Sequence, residues 1–192
     1  MTKRSDSSTV EEIASLSSGD VLRDRGRPVE IDQILDLGSI DFGGTTLEFW
    51  DPIQVEPLFL KVKIPKKRAR VFAALSGQWA RSLKVKFSPR KVVSWKRVGE
   101  TSGPFGTLVL SRSGPRTEID KMEFISNFWD EIFDEVFDPS DGAAILDLQL
   151  GKKSVPVLAW NDSQMGGTLY RGEDSRGDLA VLLFDGVRIS PA

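Results

Sequence analysis

The sequence contains no cysteine and no histidine among its 192 residues. Without cysteine the chain has no disulfide, no catalytic thiolate and no cysteine-ligated zinc. Without histidine it lacks the commonest general base and the commonest transition-metal ligand. Together these absences exclude a Ser-His-Asp triad, a Cys-His pair and a histidine zinc site from this chain. We expect no metal and no cofactor, and the lack of cysteine is typical of the cytoplasmic localisation that we expect.

Long hydrophobic runs are also missing. No apolar run approaches the roughly 18–20 residues that span a bilayer, and the basic residues 1–9 precede no apolar segment of the signal-peptide type. We therefore expect no membrane partner. Apolar residues make up 40% of the chain and charged residues 28%, which favours a soluble globular domain with an ordinary core.

Acidic residues are absent from one long stretch and concentrated in another. Residues 57–98 contain no Asp or Glu but carry thirteen lysines and arginines between Lys61 and Arg97, here called the basic stretch. Residues 118–141, here called the acidic run, contain nine acids and one cation, Lys121. The net charge is only −2, so the chain has no global attraction to nucleic acid. The charge is instead divided along the sequence.

Short runs of β-branched, aromatic and alternating apolar residues recur through the chain. Such runs, bounded by Gly, Pro, Asp and Ser, predict strands. They lie at residues 39–42, 45–50, 58–64, 69–75, 81–87, 92–98, 107–110 and 143–150. Three further runs between Val155 and Ile189 predict a β-meander, and the last of them, Leu179–Phe184, is apolar on both faces, as in a central strand.

Residues 117–137 have the strongest helical periodicity. Apolar residues recur there at spacings of three and four, which predicts one apolar face, and the other face is mostly acidic. Near the start of the chain, Thr9-Val-Glu-Glu12 matches a capping box and predicts a short helix.

These patterns predict an α+β domain that is mainly β. We expect an antiparallel two-sheet or sandwich-like structure with one long amphipathic acidic helix, about residues 117–137, and a C-terminal β-meander. Residues 1–28 are expected to form a flexible N-terminal arm with a short helix. Residues 29–192 are expected to form a single mainly-β domain.

Several stretches, in order, resemble one known family. They are residues 38–52, 57–65, 84–88, 93–95, 141–144, 159–162, 168–172 and the strand that ends at Phe184. Together they resemble the mostly bacterial domain of unknown function 4241, over about Gly38 to Phe184. The family's Gly-Trp-Gly-Asp-Gly loop is represented here by Ala159-Trp160-Asn161-Asp162-Ser163, so larger residues fill glycine positions. The family has no established activity, so the resemblance implies a fold rather than a reaction.

Two groups of residues are candidates for function. The resemblance indicates a functional loop and a following strand with Trp160, Asp162 and Tyr170, although Asp162 also suits a turn and Trp160 a core. The second group comprises acids of the acidic run: Glu123, Asp130, Glu131, Asp134 and Glu135. The pairs 130/134 and 131/135 would each share one helix face, where they could bind a cation, share a proton or form a solvated surface.

We interpret the chain as a non-enzymatic bacterial protein-binding domain. The favoured hypothesis is an immunity or antitoxin-like protein that neutralises a basic, toxin-like partner by surface complementarity through the acidic helix. A first alternative is a nucleic-acid-associated protein that uses the basic strands 61–97, where aromatic residues alternate with lysine and arginine. A second alternative is a carboxylate-dependent enzyme built around Asp162.

Overall fold

The computed structural model describes residues 9–24, 27–42, 46–50, 57–66, 68–101, 107–111, 122–123, 126, 130, 142–150, 153–161 and 167–186. One short helix is defined in these ranges, α1 (Val10–Ala14). The strands of the first half are β1 (Val21–Asp24), β2 (Arg27–Glu30), β3 (Gln33–Asp41), β4 (Thr46–Trp50), β5 (Pro57–Lys63), β6 (Arg68–Ser76) and β7 (Trp79–Lys86). Those of the second half are β8 (Ser94–Thr101), β9 (Thr107–Ser111), β10 (Ala143–Leu150), β11 (Lys153–Asn161), β12 (Gly167–Glu173) and β13 (Leu179–Asp185).

The described strands form three antiparallel sheets. A five-stranded sheet has the order β10-β11-β9-β4-β5, and a six-stranded sheet has the order β3-β6-β7-β13-β12-β8. β1 and β2 form a separate pair. The prediction of a mainly β chain is therefore confirmed.

The predicted α+β fold class is wrong. The described ranges contain one five-residue helix and no long amphipathic helix. Most of residues 117–137 lie outside the described residues, and of the four that are described Met122, Glu123 and Ser126 have α-helical backbone. The prediction rested on apolar spacing within one segment, and such local periodicity does not decide the class of a fold that long-range strand pairing builds.

One hydrophobic core lies between the two large sheets. Leu158 and Trp160 of β11 belong to the same buried cluster as Leu83 of β7 and Phe184 of β13. The rings of Trp160 and Phe184 are 5.0 Å apart. Because side chains alternate along a strand, the residues between these buried ones face the outer surface of each sheet.

The final strand is central and fully buried. All seven residues of β13 are buried, and the strand pairs with β12 on one side and β7 on the other. This confirms the expectation from its unbroken apolar sequence. The predicted C-terminal meander is nevertheless wrong, because β11 lies in the five-stranded sheet and β12 in the six-stranded sheet. A cluster of turn residues marks where a strand ends, but it does not say which sheet the chain enters next.

The N-terminal segment packs on the outer face of the six-stranded sheet. The predicted capping box is confirmed: Glu12 N donates to Thr9 Oγ1 at 3.2 Å, and Thr9 N donates to Glu12 Oε2 at 2.6 Å. Ile13 of α1 is buried with Ile31 and Leu183. The division of the chain at residue 28 stays a prediction. No helix in the described ranges has the length and apolar character needed to cross a membrane.

A bulge interrupts the pairing of β3 with β6. The register shifts between Asp36 and Gly38, and Gly38 has a φ of 85°, a conformation that glycine adopts without a steric penalty. The amide of Gly38 donates to Asp36 Oδ1 at 3.0 Å, and Asp36 also pairs with Arg70 of β6. β3 continues through the bulge to Asp41.

Candidate functional site

The structure describes two of the five acids expected to bind a partner. Asp130 is exposed and accepts a hydrogen bond from Ser126 Oγ at 3.5 Å. Glu123 is half-buried. Glu131, Asp134 and Glu135 lie outside the described residues. The geometry of the acidic run as a whole therefore stays a prediction.

The basic stretch is divided between two surfaces that face away from each other. Val62 of β5 is buried between the sheets, so its neighbour Lys63 lies on the outer face of the five-stranded sheet. Val71 of β6 is also buried between the sheets, so Arg70 lies on the outer face of the six-stranded sheet. Basic residues that are close in sequence therefore do not form one continuous surface.

Four cations of the basic stretch pair with acids that lie outside the acidic run. The pairs are Arg70 with Asp36, Arg90 with Asp174 at 2.8 Å, Lys96 with Glu173 at 2.8 Å, and Arg97 with Glu100. Their acids come from β3, β8 and the end of β12 with its turn. These four cations are therefore paired within the chain itself.

The most enclosed of these pairs connects the loop before β8 to the turn after β12. The Asp174 side chain is 1% exposed, and its Oδ2 accepts a hydrogen bond from Arg90. Its Oδ1 accepts from the amides of Arg176 at 2.9 Å and Asp178 at 3.1 Å. The hydrogen bond from Arg90, aided by the two amides, lowers the pKa of Asp174 against the opposing effect of burial.

A second charged cluster lies beside it. Glu173 accepts from Lys96 and pairs with Arg171 at 3.0 Å, and its side chain is 9% exposed. The hydrogen bond from Lys96 lowers the pKa of Glu173. Each of the two acids has at least one cation partner within the chain, which suits these contacts to holding the loop before β8 and strand β8 against β12 and its turn.

Lys84 lies partly buried between the six-stranded sheet and α1. Its Nζ donates to the carbonyl oxygen of Ala14 at 3.0 Å and lies 5.4 Å from the ring centroid of Phe72. Burial, followed by repulsion from Lys86, lowers the pKa of Lys84. The adjoining cavity has a volume of about 10 Å³ and is lined by residues that include Ile13, Ser82 and Lys84. It holds no more than about one water molecule and is too small for a cofactor.

The residues of the expected functional loop are not brought together where the structure describes them. Trp160 is 0% exposed in the core between the sheets. Tyr170 lies on the other face of the six-stranded sheet, in the cluster under α1, while its neighbour Leu169 faces the core. Burial, reinforced by Asp185, raises the pKa of Tyr170. Asp162 lies outside the described residues.

The described residues also contain a feature that the sequence did not reveal. Arg90 and Asp174 are 84 positions apart, and their pairing depends on the placement of β12 beside β8. Across the described residues, no group of three or more acids forms a site that could hold a metal ion.

Comparisons with protein-family models, curated proteins and solved structures find no match for this chain. The resemblance to domain of unknown function 4241 therefore stays a prediction.

Proposed function

We propose that this chain is a non-catalytic protein-binding domain that captures a basic partner protein through its acidic run, as immunity proteins and antitoxins do. One observation carries the proposal. Residues 118–141 carry nine acids against one cation, and Asp130 among them is exposed. Such a concentration of acids would attract an external cation-rich surface.

The chemistry of this capture is electrostatic. Opposite charges on two surfaces raise the rate of encounter, and the rate falls as salt screens the charges. Asp130 suits this role because its side chain is exposed and its contact with Ser126 is long. A basic toxin-like protein is the partner class that matches this charge.

The alternative of nucleic-acid binding receives less support. Lys63 and Arg70 lie on opposite outer faces, and Arg70 is paired with Asp36. A nucleic-acid surface requires basic groups that follow one phosphate backbone. The division of the basic stretch works against such a surface.

The test is affinity capture by the full chain from an extract of its native cells. Asp130→Lys is compared with Glu30→Lys, which makes the same charge change at an exposed position on β2. We expect one basic protein to be captured at low salt, to be released as salt rises, and to associate about tenfold more slowly with Asp130→Lys. Glu30→Lys should capture it normally.

Equal loss of capture in both variants would contradict a role for the acidic run. Recovery of nuclease-sensitive material in place of a protein would contradict the proposal and support the basic strands as the binding surface. Circular dichroism and thermal unfolding of each variant separate lost binding from lost folding.

A further inference from the structure

Two cations face each other on the outer surface of the six-stranded sheet. Arg70 of β6 lies directly opposite Lys86 of β7 in the register of these strands. Their neighbours Val71 and Val85 are buried in the core between the sheets, so both cations project from the outer face. Both residues are exposed, and the Arg70 side chain is 61% exposed. Like charges directly opposite each other destabilise a strand pair, so this opposed pair costs the fold stability.

Two further cations extend this area along the same strands. Arg68 lies two residues before Arg70 on β6 and is exposed, and Lys84 lies two residues before Lys86 on β7. Repulsion from Lys86 adds to the effect of burial in lowering the pKa of Lys84, so the charges on this face act on each other. These four residues are here called the cationic patch.

Asp36 neutralises part of the charge of Arg70 and fixes the orientation of its guanidinium. Its Oδ1 accepts a hydrogen bond from Arg70 Nε at 3.3 Å and another from the amide of Gly38 at 3.0 Å, and its Oδ2 pairs with Arg70 Nη2. The guanidinium also lies 5.4 Å from the ring centroid of Phe72. Among the described residues, these contacts involve Nε and Nη2 and leave the donors of Nη1 for an anion.

The other acid that borders the patch on β3 is Asp41, which lies opposite Arg68. The opposed pair has uncharged residues on both sides: Ser39 of β3 beside the arginine and Val181 of β13 beside Lys86. Four cations thus have two acids as neighbours on β3, and no register partner of Lys86 is an acid. The positive charge is greatest between the two strands.

We propose that the cationic patch binds a phosphate group of a small soluble ligand, with Arg70 and Lys86 as the groups that contact it. A phosphate between these side chains replaces one repulsion with two attractions. An oriented guanidinium is suited to the tetrahedral oxygens of phosphate, and an ammonium contributes a compact charge with three donors. Ser39 adds an exposed hydroxyl on the far side of Arg70.

The size of the patch favours a small ligand over a nucleic acid strand. Neighbouring strands lie about 4.8 Å apart, and alternate residues of one strand lie about 6.8 Å apart. Four cations on two strands therefore cover an area that suits one or two phosphate groups. A nucleic acid strand needs a longer basic track, and here the acids of β3 and the buried Val181 limit the patch on both sides.

Titration calorimetry of the full chain with pyrophosphate, at constant ionic strength, tests the proposal. We expect saturable binding of one pyrophosphate per chain. Lys86→Glu should weaken this binding at least about tenfold, because a charge-assisted contact is replaced by a repulsive one. Lys63→Glu is the matched control, since it makes the same charge change at an exposed position on the outer face of the other large sheet. It should bind pyrophosphate as the parent does.

Thermal unfolding separates a ligand contact from a structural role. Lys86→Glu places an acid opposite Arg70, so without ligand it should melt no lower than the parent. Pyrophosphate should raise the melting temperature of the parent and of Lys63→Glu, but not that of Lys86→Glu. A lower melting temperature of Lys86→Glu without ligand overturns the inferred repulsion.

Three binding results would also overturn the proposal. The first is the absence of saturable pyrophosphate binding by the parent. The second is an equal loss of binding in Lys63→Glu and Lys86→Glu, which would indicate general attraction to a cationic protein. The third is binding to vesicles of anionic phospholipid without binding to pyrophosphate, which would assign the patch to a membrane surface and not to a soluble ligand.

Discussion

Trp160 occupies a position that the sequence alone could assign either to a functional loop or to the hydrophobic core. Its ring is 0% exposed and lies 5.0 Å from that of Phe184. Its Nε1 has no hydrogen-bond partner in the described part of the chain. The contribution of this residue to stability therefore comes from packing between the two sheets and not from a polar contact.

We expect Trp160→Ala to lower the free energy of unfolding by about 3–5 kcal/mol, because a large buried ring is replaced by a cavity. Trp160→Phe should cost less, since it keeps an aromatic ring and removes no hydrogen bond within the described residues. Denaturant unfolding monitored by far-UV circular dichroism measures both variants. A Trp160→Ala protein as stable as the parent would contradict the packing role.

At the scale of the elements, the sequence identified most strands and failed to assign them to sheets. β10 was predicted at residues 143–150 and occupies Ala143–Leu150. Alternation of apolar residues determines which residues can face a core, and it does so within one strand. It carries no information on whether β11 pairs with β12 or lies across the core from it. The assignment of each strand to a sheet depends on pairing between strands that are distant in sequence. The meander prediction was wrong for this reason.

The sequence likewise could not show which residues of the candidate site lie close together in the fold. The sequence placed Trp160 and Tyr170 together because they follow one another in a family-like loop and strand. The change of sheet between β11 and β12 separates them, one in the core and one under α1. Arg90 and Asp174 show the converse: they are in contact in the fold although they are 84 positions apart in the sequence. No rule based on residue spacing predicts a contact over that separation.

The contact of Arg90 with Asp174 gives a prediction about pH. The folded-state pKa of Asp174 is lowered, mainly by the hydrogen bond from Arg90. The stabilisation from this contact is therefore complete above the unfolded pKa, about 3.9, and is lost as pH falls through the lower folded value. We expect the melting temperature of Asp174→Asn to fall less between pH 5 and pH 2 than that of the parent, as followed by calorimetry.

Asp20→Asn, at an exposed acid near α1, is the control for general acid sensitivity. An Asp174→Asn protein with the same acid sensitivity as the parent would show that the contact contributes little to stability.

At the scale of the whole molecule, the two sheets enclose one core and direct their polar residues to opposite outer faces. This arrangement explains why a stretch that is uniformly basic in sequence does not become a uniformly basic surface. Three of its cations pair with acids from distant parts of the chain, and Arg97 pairs with Glu100 on the same strand. The sequence divides charge between residues 57–98 and residues 118–141, whereas these four cations pair with acids outside both stretches.

The proposed function depends on the acidic run being unnecessary for folding. The most direct measurement is the free energy of unfolding of Asp130→Lys, beside Glu30→Lys, at low and at high salt. We expect the free energy of unfolding of each variant to differ from that of the parent by no more than about 0.5 kcal/mol, as for solvated surface positions, at both salt concentrations. A loss above about 1 kcal/mol for Asp130→Lys alone, present at low salt and relieved at high salt, would contradict the proposed function. It would mean that the acidic run stabilises the chain's own basic strands.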